Sequence, residues 1–167
     1  MSLACESASP PILAEGPDDG AAVERLILAV FGPGRYAKAA ERLREGRQPL
    51  APLSFVAWDG ERLAGCVRQW AVTVGGTPTI LLGPLAVDPP YRRHGLGAAL
   101  VEQACRAAAE AGFGAVILVG DEPYYAPLGF GQAPGVEMPG PVDRRRILKR
   151  VLRPGVGGPL EGEVLAA

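Results

Sequence analysis

Histidine is almost missing from this chain: His94 stands alone among 167 residues. Cysteine is scarce as well, with Cys5, Cys66 and Cys105 widely spaced and no Cys-x-x-Cys pair. Without a cluster of His and Cys there is no framework for a zinc centre, and an odd number of scattered thiols fits a reduced, cytoplasmic protein better than a disulfide scaffold. Those thiols are expected to be buried and unreactive. An excess of either charge is also lacking: 17 Lys and Arg face 18 Asp and Glu, a net charge of −1. The field of the whole molecule therefore draws in neither nucleic acid nor an anionic membrane, and any anion site has to be local. No apolar run reaches the roughly eighteen residues of a membrane helix. The opening MSLACESASPP has neither a basic segment nor a long apolar one, so no signal peptide is expected. Internal repeats are absent too, and the 23 Gly and 17 Pro punctuate the chain without forming a low-complexity tract.

What is present suits one domain, covering 1–167: the length and 48% apolar residues suffice for a core. A short strand is expected at 12–15. Asp18 and Asp19 then precede an apolar-periodic helix over 21–31, closed by Gly32, Pro33 and Gly34. A second helix is predicted over 36–44, stopping at Gly46. Strands at 53–58 and 63–74 around Asp59 and Gly60 read as a hairpin, and Gly75-Gly76 turns into a third strand at 79–87. The clearest helix lies at 95–111, with Leu96, Leu100, Ala104, Ala107 and Ala111 as its inner face and Gly112 as its stop. The continuously apolar 115–119 reads as a strand covered on both faces, parallel to the third strand through a crossover. Short strands near 130–133 and 146–152 follow. The tail from Pro154 is expected to be loop or a weak final edge.

One junction stands out. A strand ending in Leu85, Ala86 and Val87 runs through two prolines into Arg92-Arg93-His94-Gly95-Leu96-Gly97, where the helix begins. A helix start exposes unpaired amides and about half a positive charge. Two glycines let a bulky anion approach the backbone there, and Arg92, Arg93 and His94 add donors. A P-loop is ruled out, because no Lys follows the glycines. A dinucleotide loop fits poorly: Leu100 stands where its third small residue belongs, and Glu122 lies too far on to serve as its acidic partner. The pattern Arg/Gln-x-x-Gly-x-Gly/Ala is matched. Together with Leu85-Ala86-Val87 before it and Tyr125-Ala126-Pro127-Leu128-Gly129-Phe130 after it, the stretch resembles the GNAT superfamily of acyl-CoA-dependent N-acetyltransferases. The wording LLGPLAV with GDEPYYAPLGF is most similar to the branch often called YhbS-like, and the match is densest over 81–131.

That resemblance implies an α/β fold of the mixed α+β kind. Its central, mostly antiparallel sheet would contain a βαβ acyl-CoA-binding unit and carry flanking helices. It implies acetyl-CoA as cosubstrate, no metal, and a small-molecule or protein amine as acceptor. The cofactor-binding residues would be Leu85, Ala86, Val87, Arg92, Arg93, His94, Gly95, Leu96, Gly97 and Ala98. The diphosphate would meet the amides from Arg93 to Ala98, and the pantetheine arm would run along 85–87. Gly83-Pro84 reads as a bulge that opens a gap for it. Tyr125 falls where the family keeps the general acid for the leaving thiolate, with Tyr124 its competitor. A lysine-like amine of pKa about 10.4 is only about 0.1% neutral near pH 7.4, a penalty of about 4 kcal/mol, so a base would help. The strand 79–84 carries no acidic residue, and Asp121 and Glu122 are the nearest carboxylates, expected to be solvated. The basic group Arg144, Arg145, Arg146, Lys149 and Arg150 reads as a solvated face, and Trp58 and Trp70 as core or interface. Exposed strand edges leave room for a homodimer. A different class of function, an acyl-CoA-binding or interaction module without turnover, is kept open by the missing strand carboxylate.

Overall fold

The computed structural model describes residues 9–33, 39–155 and 159–167, and in them the alternating segments join into one sheet. Strand β1 is Ile12–Ala14, β2 Phe55–Asp59, β3 Arg62–Val74, β4 Thr77–Val87, β5 Ala115–Val119, β6 Gly131–Gln132, β7 Val136–Glu137, β8 Ile147–Val151 and β9 Gly162–Ala166. The helices are α1 Gly20–Phe31, α2 Leu96–Glu110 and the short α3 Glu122–Tyr125. Strand order is β1-β2-β3-β4-β5-β8-β6, with β9 beside β3 and β7 beside β9. Neighbours are antiparallel except β4 with β5 and β7 with β9. The architecture is the expected mixed fold with a mostly antiparallel sheet.

The sheet is covered on both faces, as its apolar strands require. Helix α2 packs Leu96, Leu100, Ala104 and Ala108 against Phe55, Val67, Ile80, Val116 and Leu118. On the opposite face α1 brings Val23, Leu26 and Ile27 onto Val56, Leu63, Cys66 and Ala86. Strand alternation sends Val67 to one helix and Cys66 to the other. The α2 face differs from the expected one: Val101, Cys105 and Ala108 are buried, while Ala111 is exposed. Steps of four residues overshoot a 3.6-residue turn, so the inward stripe drifts. Gly112 ends the helix in the left-handed region (φ 96°), and the Phe113 amide closes back on the Ala108 carbonyl.

Two expectations need correction. Of the helix predicted over 36–44, residues 36–38 lie outside the described residues, and 39–43 form a 3₁₀ turn that buries Ala39, Ala40, Glu41 and Leu43. So short a segment gains little from an α-helical ladder and takes the tighter winding that its buried contacts dictate. The tail is not a weak edge. Strand β9 hydrogen-bonds to β3 and buries Val164 completely beside Trp70, Val72 and Val74. Gly75 (φ 54°) meets it backbone to backbone, its amide donating to the Glu163 carbonyl over 3.1 Å. Strand β7 and helix α3 were not expected at all. Among the described residues no helix is long and apolar enough to cross a membrane.

Candidate functional site

The parallel pair β4 and β5 is joined only at Ile80 with Val116 and Leu81 with Ile117. Beyond that point β4 leaves β5, and the register between β3 and β4 explains why. Val67 pairs with Leu85 and Gln69 with Leu82, so Gly83 and Pro84 together face the single residue Arg68. This is a bulge, and it turns residues 85–87 away from the neighbouring strand. Gly83 supplies the backbone with φ 127°, and its carbonyl accepts a hydrogen bond from the buried Trp70 indole at 2.7 Å. The expected gap is therefore present, and it opens into a cavity of about 880 Å³.

One end of the cavity is the start of α2. Gly95 is the N-cap residue at φ 81°, and among the described residues no side chain caps this helix. The Gly95 carbonyl receives its helical bond from the Ala99 amide, so the amides of Leu96, Gly97 and Ala98 precede the ladder. Arg93 sits at φ 68°, a costly conformation for a residue with a Cβ. Positive φ at both 93 and 95 winds the loop tightly into the helix start, where the unpaired amides are available to an anion. The loop is fastened from outside: Arg92 Nε donates to the Val87 carbonyl at 3.0 Å, Arg62 Nε to Asp88 at 2.7 Å and the Tyr91 hydroxyl to Asp59 at 2.6 Å.

Past β5 stand the two tyrosines. Tyr125 packs its ring edge-on to Phe130 with centroids 5.7 Å apart, and its Cε2 lies 2.5 Å from where a Cβ on Gly120 would stand. Burial pushes its phenol up to about 12, with further upward contributions from Tyr124 and Asp121. Tyr124 is 48% exposed and sets its hydroxyl against Gly97, so it closes part of the helix mouth. Both line the cavity.

Leu85, Val87, Arg92, Arg93, Gly95, Leu96, Gly97 and Ala98 line it as well. Ala86 does not: the alternation of β4 turns its side chain under α1, leaving only its backbone on the strand. His94 is exposed and contributes no wall. Asp121 lies on the rim and pairs with Arg146 at 3.4 Å, whereas Glu122 faces away and accepts from Gln132 at 2.7 Å. The far end was not foreseen: it is built from Val30 and Phe31 of α1, Ala39, Ala40 and Arg44, and the loop at Pro141, Val142 and Asp143. Arg150 is no part of a solvated face, for it turns inward to Glu102 at 2.8 Å and the Leu128 carbonyl at 3.2 Å. Among the described residues no group of three or more His, Cys, Asp or Glu is placed to hold a metal ion.

The acetyltransferase (GNAT) family matches residues 22–130 of the chain. The protein called uncharacterized N-acetyltransferase YhbS from Escherichia coli (strain K12) is 34% identical over 122 residues, which span 71% of this chain and 72% of the relative. A crystal structure of the GNAT family N-acetyltransferase YhbS from Escherichia coli in complex with CoA superposes with a TM-score of 0.81 at 27% identity, covering 95% of this chain and 90% of the other. The fold is shared with a GNAT family acetyltransferase from Brucella melitensis in complex with acetyl-CoA: TM-score 0.70, 23% identity, coverage 94% and 95%.

Proposed function

This chain belongs to the acetyltransferase (GNAT) family, and from that premise we propose how its cavity moves an acetyl group from acetyl-CoA to a primary amine. The observation that carries the reading is the continuity of the uncapped start of α2 with the unpaired edge of β4 in one cavity. An anionic head and a long amide-bearing arm need those two features end to end. The amides from Arg93 to Ala98 hold the diphosphate, with Arg92 and Arg93 adding charge. The exposed amides and carbonyls of 85–87 take the pantetheine arm as a further strand. His94, at the same loop, contributes at most an outer contact. The thioester then reaches the bulge at Gly83 and Pro84.

The acceptor enters from the end formed by α1 and the 141–143 loop. Its neutral nitrogen attacks the thioester carbonyl carbon, the nitrogen gives up a proton to water, and the carbon–sulfur electron pair leaves with sulfur. Tyr125 donates its hydroxyl proton, or a hydrogen bond, to that thiolate. A phenol near 12 is a weaker acid than the thiol of about 8.5 that it faces, so hydrogen bonding is the larger part of its contribution. Buried Cys66 and Cys105 take no part, and reduced thiols of this kind suit the cytoplasm.

Titrating acetyl-CoA into the protein by calorimetry, beside a Gly97→Glu variant, tests this reading. Micromolar binding to the parent that is lost in a variant still folded by circular dichroism supports the cofactor site, because the added carboxylate repels and obstructs the diphosphate. Amines are then screened for thiol release. Binding without release from any amine supports the non-catalytic module instead, and no binding to the parent overturns both.

A further inference from the structure

Arg44 reaches the bulge from a different part of the chain. Its Nη2 lies 3.0 Å from where a Cβ on Gly83 would stand, and the guanidinium lines the cavity together with Leu82, Gly83 and Pro84. Its side chain is only 13% exposed, and Nη1 donates to Glu41 at 3.4 Å, whose side chain is 12% exposed. The ion pair is thus largely out of water, where its charge is less screened than at the surface. Pro84 has no N–H to offer at this point, so the guanidinium adds donors where that residue cannot.

We propose that Arg44 is the side-chain donor that meets the negative charge developing on the thioester oxygen. The inference rests on the acetyl-transfer reading. With the diphosphate at Gly95 and Gly97, next to Val87, the arm running back along β4 brings the carbonyl to Pro84 and Gly83, beneath the guanidinium. As the amine nitrogen bonds to the carbonyl carbon, the carbonyl π pair moves onto oxygen and is stabilised by the Arg44 N–H. When that pair re-forms the double bond, the carbon–sulfur bond breaks, sulfur takes its electrons, and the amine proton passes to water. Glycine at 83 is then required twice, for a φ of 127° and for the space that the guanidinium fills. The positive charge also disfavours a protonated amine beside it, which offsets part of the absence of a carboxylate on β4.

Infrared difference spectra of acetyl-CoA labelled with ¹³C at the carbonyl, bound without acceptor, read the contact directly. The parent is expected to shift the carbonyl stretch to lower wavenumber than Arg44→Gln does, while calorimetry finds similar acetyl-CoA affinity for both. With hydroxylamine, a nucleophile already neutral near pH 7, kcat for thiol release is expected to fall about 10²- to 10³-fold in Arg44→Gln. Arg44→Lys should recover part of that loss, and Glu41→Gln should keep most of the activity. An equal stretch in parent and Arg44→Gln, both binding, overturns the proposal. So does a pattern in which Glu41→Gln fails as badly as Arg44→Gln, since the ion pair would then be structural. If Arg44→Gln does not fold, Arg44→Lys decides: a parent-like stretch together with parent-like kcat sinks the idea, and an intermediate stretch with reduced kcat supports it. A parent that binds no acetyl-CoA fails at the earlier step and removes the transfer reading itself.

Discussion

Burial separates the two tyrosines. Tyr125 lies over Gly120 and packs edge-on to Tyr124 and Phe130, whereas Tyr124 leans on Gly97 at the helix mouth. A side chain that must sit near a leaving sulfur is better held by the first arrangement, because ordering is completed before substrate arrives. Tyr125→Phe is expected to lower kcat by about tenfold to a thousandfold with acetyl-CoA affinity nearly intact, and Tyr124→Phe to do much less. Thiol-release kinetics beside calorimetry separate the two, and an unchanged kcat would remove Tyr125 from the mechanism. Gly120→Ala makes the same point from the other side. Its Cβ would stand 2.5 Å from Tyr125 Cε2 and 3.1 Å from Leu118 Cδ1, so the ring has to move. A fall in kcat of about tenfold or more with little change in acetyl-CoA affinity is expected, since misplacing a reacting group costs rate before it costs binding. Tyr125 was legible in the sequence because it lies four residues before Gly129 in a local motif. Gly120 was not, because its need for a bare Cα arises only from a ring folded back over it.

At the scale of elements, what could be read ahead was contiguous. The strand, bulge, glycine loop and helix from Leu82 to Gly112 follow one another in the chain, and each is marked by Pro, Gly or apolar spacing. The cavity end proposed for the acceptor is assembled from three separated pieces, around Phe31, Arg44 and Val142, with no pattern of their own, and only tertiary packing brings them together. Strand β9 is a similar case. Its sequence GEVLA alternates for too few residues to identify it, and its stability comes from β3, far upstream. Val164 is fully buried and Leu165 is 52% exposed, so the two residues form an internal control. Val164→Ala is expected to lower the unfolding free energy by about 2 kcal/mol, and Leu165→Ala to change it little. Urea titrations measure both, and equal effects would mean that β9 does not hold its place in the sheet in solution. Acetyl-CoA binding should survive Val164→Ala, because β9 joins the sheet beyond β3 and lines no part of the cavity.

Across the whole molecule, burial moves two thiols and one phenol in the same direction. Burial raises the thiol of Cys66 from 9.0 to about 12, that of Cys105 from 9.0 to about 11, and the phenol of Tyr125 from 10.0 to about 12. Each group is neutral when protonated, so folding favours the protonated form. Above pH 9 the unfolded chain releases protons that the folded chain retains, and the unfolded state gains stability. The contribution is thus complete below pH 9 and is lost as pH rises through 11 and 12. Urea titrations at pH 7, 9 and 11, under reducing conditions that keep the thiols from pairing, should find little change between the first two and a marked fall at the third. In Cys105→Ala the fall from pH 9 to pH 11 should be smaller by on the order of 2 kcal/mol. The substitution's own loss of packing appears at every pH and cancels from that difference. Equal slopes in parent and variant would mean that Cys105 meets solvent in the native state, and that α2, which carries it onto β5 and β8, is less firmly seated than its buried face implies.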